Sequence, residues 1–115
     1  MKLISVKLSV LFFSILFIFA SLFAQAKPSI KKVSIKTSAV CGMCKSKIEG
    51  ALSNQEGVVK SSLSDKTKIV MVKYDSTKTS PEKIRQAISM AGYDADDVKA
   101  NADAYNNLED CCKKN

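Results

Sequence analysis

The hydrophobic period along residues 30–98 alternates between that of a strand and that of a helix, and this order restricts the fold more than any other feature. Alternating apolar and polar residues predict strands over residues 30–37, 58–63, 68–74 and 93–98. An apolar stripe at helical spacing predicts one helix over residues 42–53. A second helix is predicted to begin after Ser80, with Pro at its first position, and to end at Gly92.

The order of these elements is βαββαβ. It favours an α+β ferredoxin-like sandwich, in which a four-stranded antiparallel sheet carries both helices on one face. A short polar C-terminal tail follows, with a last helix expected over residues 102–109.

The N-terminal segment, residues 1–26, has the pattern of a secretory signal peptide. It contains a charged start, an apolar run of 17 positions over 8–24 and a small-x-small site ending at Ala26, and it holds all five Phe of the chain. An uncleaved membrane anchor is the alternative, because roughly 17–25 apolar residues span a bilayer. We therefore expect export, to a periplasmic or extracellular location. The remaining 89 residues divide into a domain, 27–98, and a tail, 99–115.

The composition excludes several functions. The chain has no His, so Ser-His-Asp and Cys-His catalysis and His-ligated metal sites are all excluded. We do not expect this protein to be an enzyme. The formal net charge is +7, but the lysines are scattered and no aromatic residues are interleaved with them, so no nucleic-acid partner is predicted.

The chemistry is concentrated in a Cys-x-x-Cys motif, Cys41 to Cys44, at the junction of the first strand and the first helix. A helix N-terminus favours the thiolate form that binds metal. Cys44 is in phase with the apolar stripe, so we expect it to be half-buried, with Cys41 in the exposed loop. Two thiolates without imidazole suit Cu(I) or Hg(II), with Cd(II) and Zn(II) as further thiophilic ions; a closed zinc site would need four ligands.

The region over about residues 33–98 resembles the heavy-metal-associated domain family of copper chaperones, periplasmic mercury-binding proteins and N-terminal modules of metal-pumping ATPases. The resemblance rests on the Cys-x-x-Cys motif and on Gly57-Val58, Val70-x-Val72-x-Tyr74-Asp75 and Ala91-Gly92-Tyr93. It implies the ferredoxin-like fold, Cys41 and Cys44 as ligands, and Tyr93 in a loop that faces them. The implied partners are a metal ion and a membrane metal transporter or metal-pumping ATPase, with the chain a monomer or a metal-bridged dimer.

The motif departs from the family pattern at one position. Ala39 stands where the family usually has a buried Met before the first cysteine. Met43, inside the motif, is a candidate to compensate by packing or by offering its thioether.

Two other uses of the Cys pair stay open: a structural disulfide and a thiol-disulfide oxidoreductase. The chain has no Trp before the motif and no evident counterpart of the thioredoxin cis-proline.

Cys111 and Cys112 lie in the tail, outside the usual extent of the family domain. Adjacent cysteines form a disulfide with each other only under strain. The sequence leaves open whether they are additional metal ligands, completing a four-sulfur site or forming a second one, or unrelated thiols.

Overall fold

The structure is a computed structural model and describes residues 27–113. The predicted signal peptide, residues 1–26, and the last two residues of the tail lie outside the described residues. Within the described range, no helix has the length and apolar character needed to cross a membrane.

The elements follow the predicted order closely, and the first helix and second strand have the predicted bounds. They are β1 (Ile30–Lys36), α1 (Gly42–Ser53), β2 (Val58–Leu63), β3 (Ile69–Asp75), α2 (Pro81–Met90), α3 (Ala102–Asn106) and a 3₁₀ helix (Asp110–Cys112). The helix predicted over 102–109 is therefore shorter than expected, and the chain turns again before the last cysteines.

The sheet is antiparallel, with β3 between β1 and β2. Val70 of β3 pairs with Ile35 on one side and with Leu63 on the other. Because directly paired residues point to the same face of a sheet, these three side chains form one apolar row. All three are at most 2% exposed, so this face of the sheet is buried and forms one side of the hydrophobic core.

The fourth strand predicted over residues 93–98 does not form: these residues, which the structure describes, are not a strand of the sheet. In the part of the chain that the structure describes, Ala95 makes only single bridges, to Thr37 and to Val98. Asp96 has a φ of 53°, and the backbone amides and carbonyls of Ala95 and Val98 bond to each other at 2.9 Å. The chain therefore folds back on itself as a turn, and the sheet of the described residues has three strands.

The two long helices pack their apolar stripes onto the buried sheet face. Helix α2 begins as predicted, since the Ser80 hydroxyl accepts a bond from the Lys83 amide at 3.3 Å and Pro81 stands at the first position. Helix α1 buries Cys44, Ile48 and Leu52 completely. The core thus reaches up to the N-terminal turn of α1 and includes a thiol.

Candidate metal centre

The loop between β1 and α1 is held rigidly before it reaches the first cysteine. The Thr37 hydroxyl donates to the Lys68 carbonyl at 2.8 Å and accepts from the Ala39 amide at 3.3 Å. The Ala39 methyl is buried. Cys41 is the extended N-cap residue of α1, and its carbonyl accepts from the Cys44 amide at 3.0 Å. The loop and the first helical turn therefore fix the backbone of both cysteines.

All four cysteines meet at one place, as free thiols. The Cys41 sulfur lies 3.3 Å from that of Cys44, 3.7 Å from that of Cys112 and 4.0 Å from that of Cys111. These separations exceed the roughly 2.05 Å of a disulfide bond. Cys44 and Cys112 are buried, Cys41 is half-buried and Cys111 is exposed. Cys44 is thus deeper, and Cys41 less exposed, than the sequence predicts.

The tail reaches the centre because it is tied to the end of α2. The Asn101 amide donates to the Ser89 carbonyl at 3.0 Å, and the Ser89 hydroxyl donates to the Lys99 carbonyl at 2.7 Å. Leu108 is 8% exposed and belongs to the core. Sequence reasoning missed this docking; Leu108 and Tyr105, which also packs against the core, were the signals for it in an otherwise polar tail.

Tyr93 lies where the family resemblance implies, in a loop facing the cysteines. Its side chain is fully buried, and its hydroxyl faces the thiols of Cys44 and Cys112. Within residues 27–113 that hydroxyl has no partner at hydrogen-bond geometry. Ser38, which sequence reasoning did not single out, joins the two loops by accepting from the Asp94 amide at 2.8 Å.

The thiols differ in acidity because their surroundings differ. Burial raises the pKa of Cys44, but polar contacts with the Cys112 thiol, the Val40 backbone, the Tyr93 hydroxyl and the Cys41 thiol outweigh it and lower the pKa to about 7. Burial raises the pKa of Cys112 to about 12. It also raises the pKa of Tyr93, so that hydroxyl stays protonated. At neutral pH the centre therefore holds a substantial fraction of thiolate at Cys44, with neutral donors around it.

Met43 does not take the place of the buried Met of the family. Its side chain is 44% exposed, so it does not fill the core beside Ala39. Its sulfur instead lies 4.0 Å from that of Cys111. Any part that Met43 plays at the centre would therefore be through its thioether.

The chain matches known proteins over the domain that precedes the tail. The model of the family described as "Heavy-metal-associated domain" matches residues 31–94. A copper chaperone CopZ of Staphylococcus aureus is 39% identical over 54 residues, which are 47% of this chain and 79% of the relative. Among solved structures, a CopZ metallochaperone is 32% identical with a TM-score of 0.54, covering 56% of this chain and 98% of the other.

Two further structures extend the comparison. Oxidized MerP from Ralstonia metallidurans CH34 is 29% identical with a TM-score of 0.57, over 58% of this chain and 94% of the other. A copper-binding domain from HMA7, a P-type ATPase, is 29% identical with a TM-score of 0.55, over 56% of this chain and 89% of the other.

A small α+β sandwich that carries a Cys-x-x-Cys pair at a strand-to-helix junction and matches a solved metallochaperone belongs to the class of metal-binding domains. The chain belongs to the heavy-metal-associated domain family, and its fold is the ferredoxin-like one of that family. The expectation that it is not an enzyme is confirmed, because its relatives are metallochaperones and metal-binding domains.

Proposed function

We propose that this chain binds a thiophilic ion, Cu(I) or Hg(II), through Cys41 and Cys44, and sequesters or shuttles it. The observation that carries the proposal is the pair of free sulfurs 3.3 Å apart at the N-terminus of α1. Soft thiolates are the ligands that such ions prefer. The lowered pKa of Cys44 supports the proposal, since less free energy is needed to deprotonate a ligand that is already partly ionised.

The relatives support copper as the first ion to test, because one is a copper chaperone and another a copper-binding domain of a P-type ATPase. We propose a membrane metal transporter or metal-pumping ATPase as the partner. The Cys41 sulfur is half-buried and the Cys111 sulfur is exposed, so an incoming pair of thiolates can reach the bound ion from the Cys111 side. Exchange of ligands one at a time would then move the ion without releasing it to water.

The test is a competition titration of the reduced protein with Cu(I) against a coloured chelator. We expect one tightly held ion per chain, and no competition by protein whose thiols have been alkylated. Failure of the reduced protein to compete would refute the proposal. Reduction of insulin by metal-free protein at a catalytic rate would instead support the oxidoreductase alternative, which uses the same two sulfurs.

We propose that the protein acts after export, on the basis of the signal-like pattern of residues 1–26. Expression of the full chain in a bacterium should yield a periplasmic or secreted product whose mass corresponds to a chain beginning at Lys27. Intact mass spectrometry of the two cell fractions makes the measurement. A full-length product in the membrane fraction would favour the uncleaved anchor, and a full-length product in the cytoplasm would contradict export.

A further inference from the structure

We propose that Cys111 and Cys112 complete a four-thiolate site with Cys41 and Cys44, which holds one tetrahedral divalent soft cation such as Zn(II) or Cd(II). The inference rests on the proposed function, because it takes Cys41 and Cys44 as ligands. It adds the tail cysteines to the site and adds a class of ion that two thiolates alone hold poorly, since a closed site for these ions needs four ligands.

The distances between the sulfurs carry the inference. The sulfurs of Cys41, Cys111 and Cys112 form a triangle with sides of 4.0, 3.7 and 3.9 Å. A tetrahedral ion with metal–sulfur bonds of about 2.3 Å needs sulfurs about 3.8 Å apart, whereas a linear two-coordinate ion needs about 4.6 Å. The triangle therefore already has the dimensions of one face of a tetrahedral site.

The three sulfurs of the triangle all lie within 4.8 Å of one another, and we infer that Cys44, beside them, supplies the fourth ligand. Its sulfur lies 3.3 Å from that of Cys41, and its thiol also interacts with that of Cys112. A lengthening of the Cys41–Cys44 separation by about 0.5 Å would reach the tetrahedral value.

The surroundings supply donors for the negative charge of such a site. Four thiolates around a dication carry a formal charge of −2, which needs hydrogen bonds when it is partly buried. Cys41 is the N-cap of α1, and the partial positive charge of a helix N-terminus favours thiolates beside it. The Tyr93 hydroxyl is buried, faces Cys44 and Cys112, and has no hydrogen-bond partner among the described residues. A buried donor left unpaired is costly, and a thiolate at either cysteine would satisfy it.

The docked tail holds this arrangement closed. Leu108 and Cys112 are both buried in the same core as α1. Lys47 of α1 lies 4.0 Å from Glu109 of the tail, an exposed contact that adds little stability by itself. The packing of Leu108 therefore positions the tail cysteines beside Cys41.

The experiment is a titration of the reduced protein with Cd(II) alone, followed by the thiolate-to-cadmium charge-transfer absorbance, whose intensity increases with the number of bonded thiolates. We expect saturation at one ion per chain. The Cys111→Ser variant should retain about three quarters of the wild-type intensity and the Cys111→Ser, Cys112→Ser variant about half, since one and two of the four ligands are lost. Asp110→Ser, in the same 3₁₀ helix but without a sulfur, is the matched control and should keep the full intensity.

Three outcomes would overturn the inference: full intensity in the double tail variant, saturation at two ions per chain, or no intensity in the wild-type protein. Serine at the buried position 112 could prevent the double variant from folding. Cys111 is exposed, so the Cys111→Ser variant should fold and keeps the test valid in that case. A Cys41→Ser, Cys44→Ser variant separates the two proposals. If this variant loses Cd(II) binding while the double tail variant keeps the full intensity, the proposed function stands without the tail ligands. If this variant binds Cd(II) as the wild-type protein does, the proposed function is refuted.

Discussion

Replacing Cys41 with serine should weaken the binding of Cu(I) by at least about a hundredfold, and far more than replacing Cys111. Loss of a side chain that only supports a ligand already costs roughly 10–100-fold in metal affinity, and Cys41 is a ligand in its own right. Its sulfur also lies within 4.0 Å of the sulfurs of Cys44, Cys111 and Cys112. The measurement is the competition titration against a chelator.

The matched control is Cys111→Ser. Cys111 is exposed and its sulfur lies 4.0 Å from Cys41, so a two-coordinate ion held by Cys41 and Cys44 should lose little affinity in this variant. The Cys41→Ser protein should fold normally, because its side chain is only half-buried. Equal affinities of the two variants for Cu(I) would contradict the central position assigned to Cys41.

Replacing Gly92 with alanine should lower the free energy of unfolding by about 1–3 kcal/mol and release the tail from the centre. Gly92 has a φ of 101°, which L side chains rarely adopt. A Cβ there would lie 3.0 Å from the Ala104 carbonyl oxygen and 3.1 Å from Leu108 Cγ. The backbone at position 92 and the tail must therefore move apart. Urea unfolding measures the stability, and the rate of thiol labelling at Cys112, 1% exposed in the folded protein, measures release of the tail.

Gly50→Ala is the control for this change. Gly50 lies within α1, and a Cβ there would meet nothing within 4 Å. Alanine should therefore stabilise the helix by about 0.5–1 kcal/mol and leave the labelling of Cys112 unchanged. If Gly92→Ala unfolds at the wild-type urea concentration and keeps Cys112 protected, the tail does not depend on the close approach at Gly92.

The fold was largely predictable because its signals are local. The apolar stripe of Cys44, Ile48 and Leu52 follows helical spacing, and all three are fully buried. The Ser80-Pro81 start of α2 is a local hydrogen-bonding pattern and occurs as predicted. The fourth strand failed for a reason that no local pattern shows: Asp96 adopts a positive φ and bonds to Lys36, 60 residues away, through both its backbone amide and its carboxylate.

The candidate site was predictable only in part. The spacing of Cys41 and Cys44 places two sulfurs at one helix terminus whatever the rest of the chain does. The family resemblance added Tyr93, and the structure puts its hydroxyl against Cys44. Ser38 carries no pattern of its own, because its hydrogen bond to the Asp94 amide spans 56 residues and depends on how the loops pack.

By itself, the sequence determined the order of the elements, the buried helical faces and the Cys-x-x-Cys pair, since periodicity and spacing act over a few residues. Only the tertiary structure decided what becomes of the last two cysteines. They lie about 70 residues from Cys41, and what brings them back is the burial of Leu108 beside Gly92 and the bonds of the tail to Ser89. Contacts at that separation depend on the packing of the whole core, which no local pattern encodes.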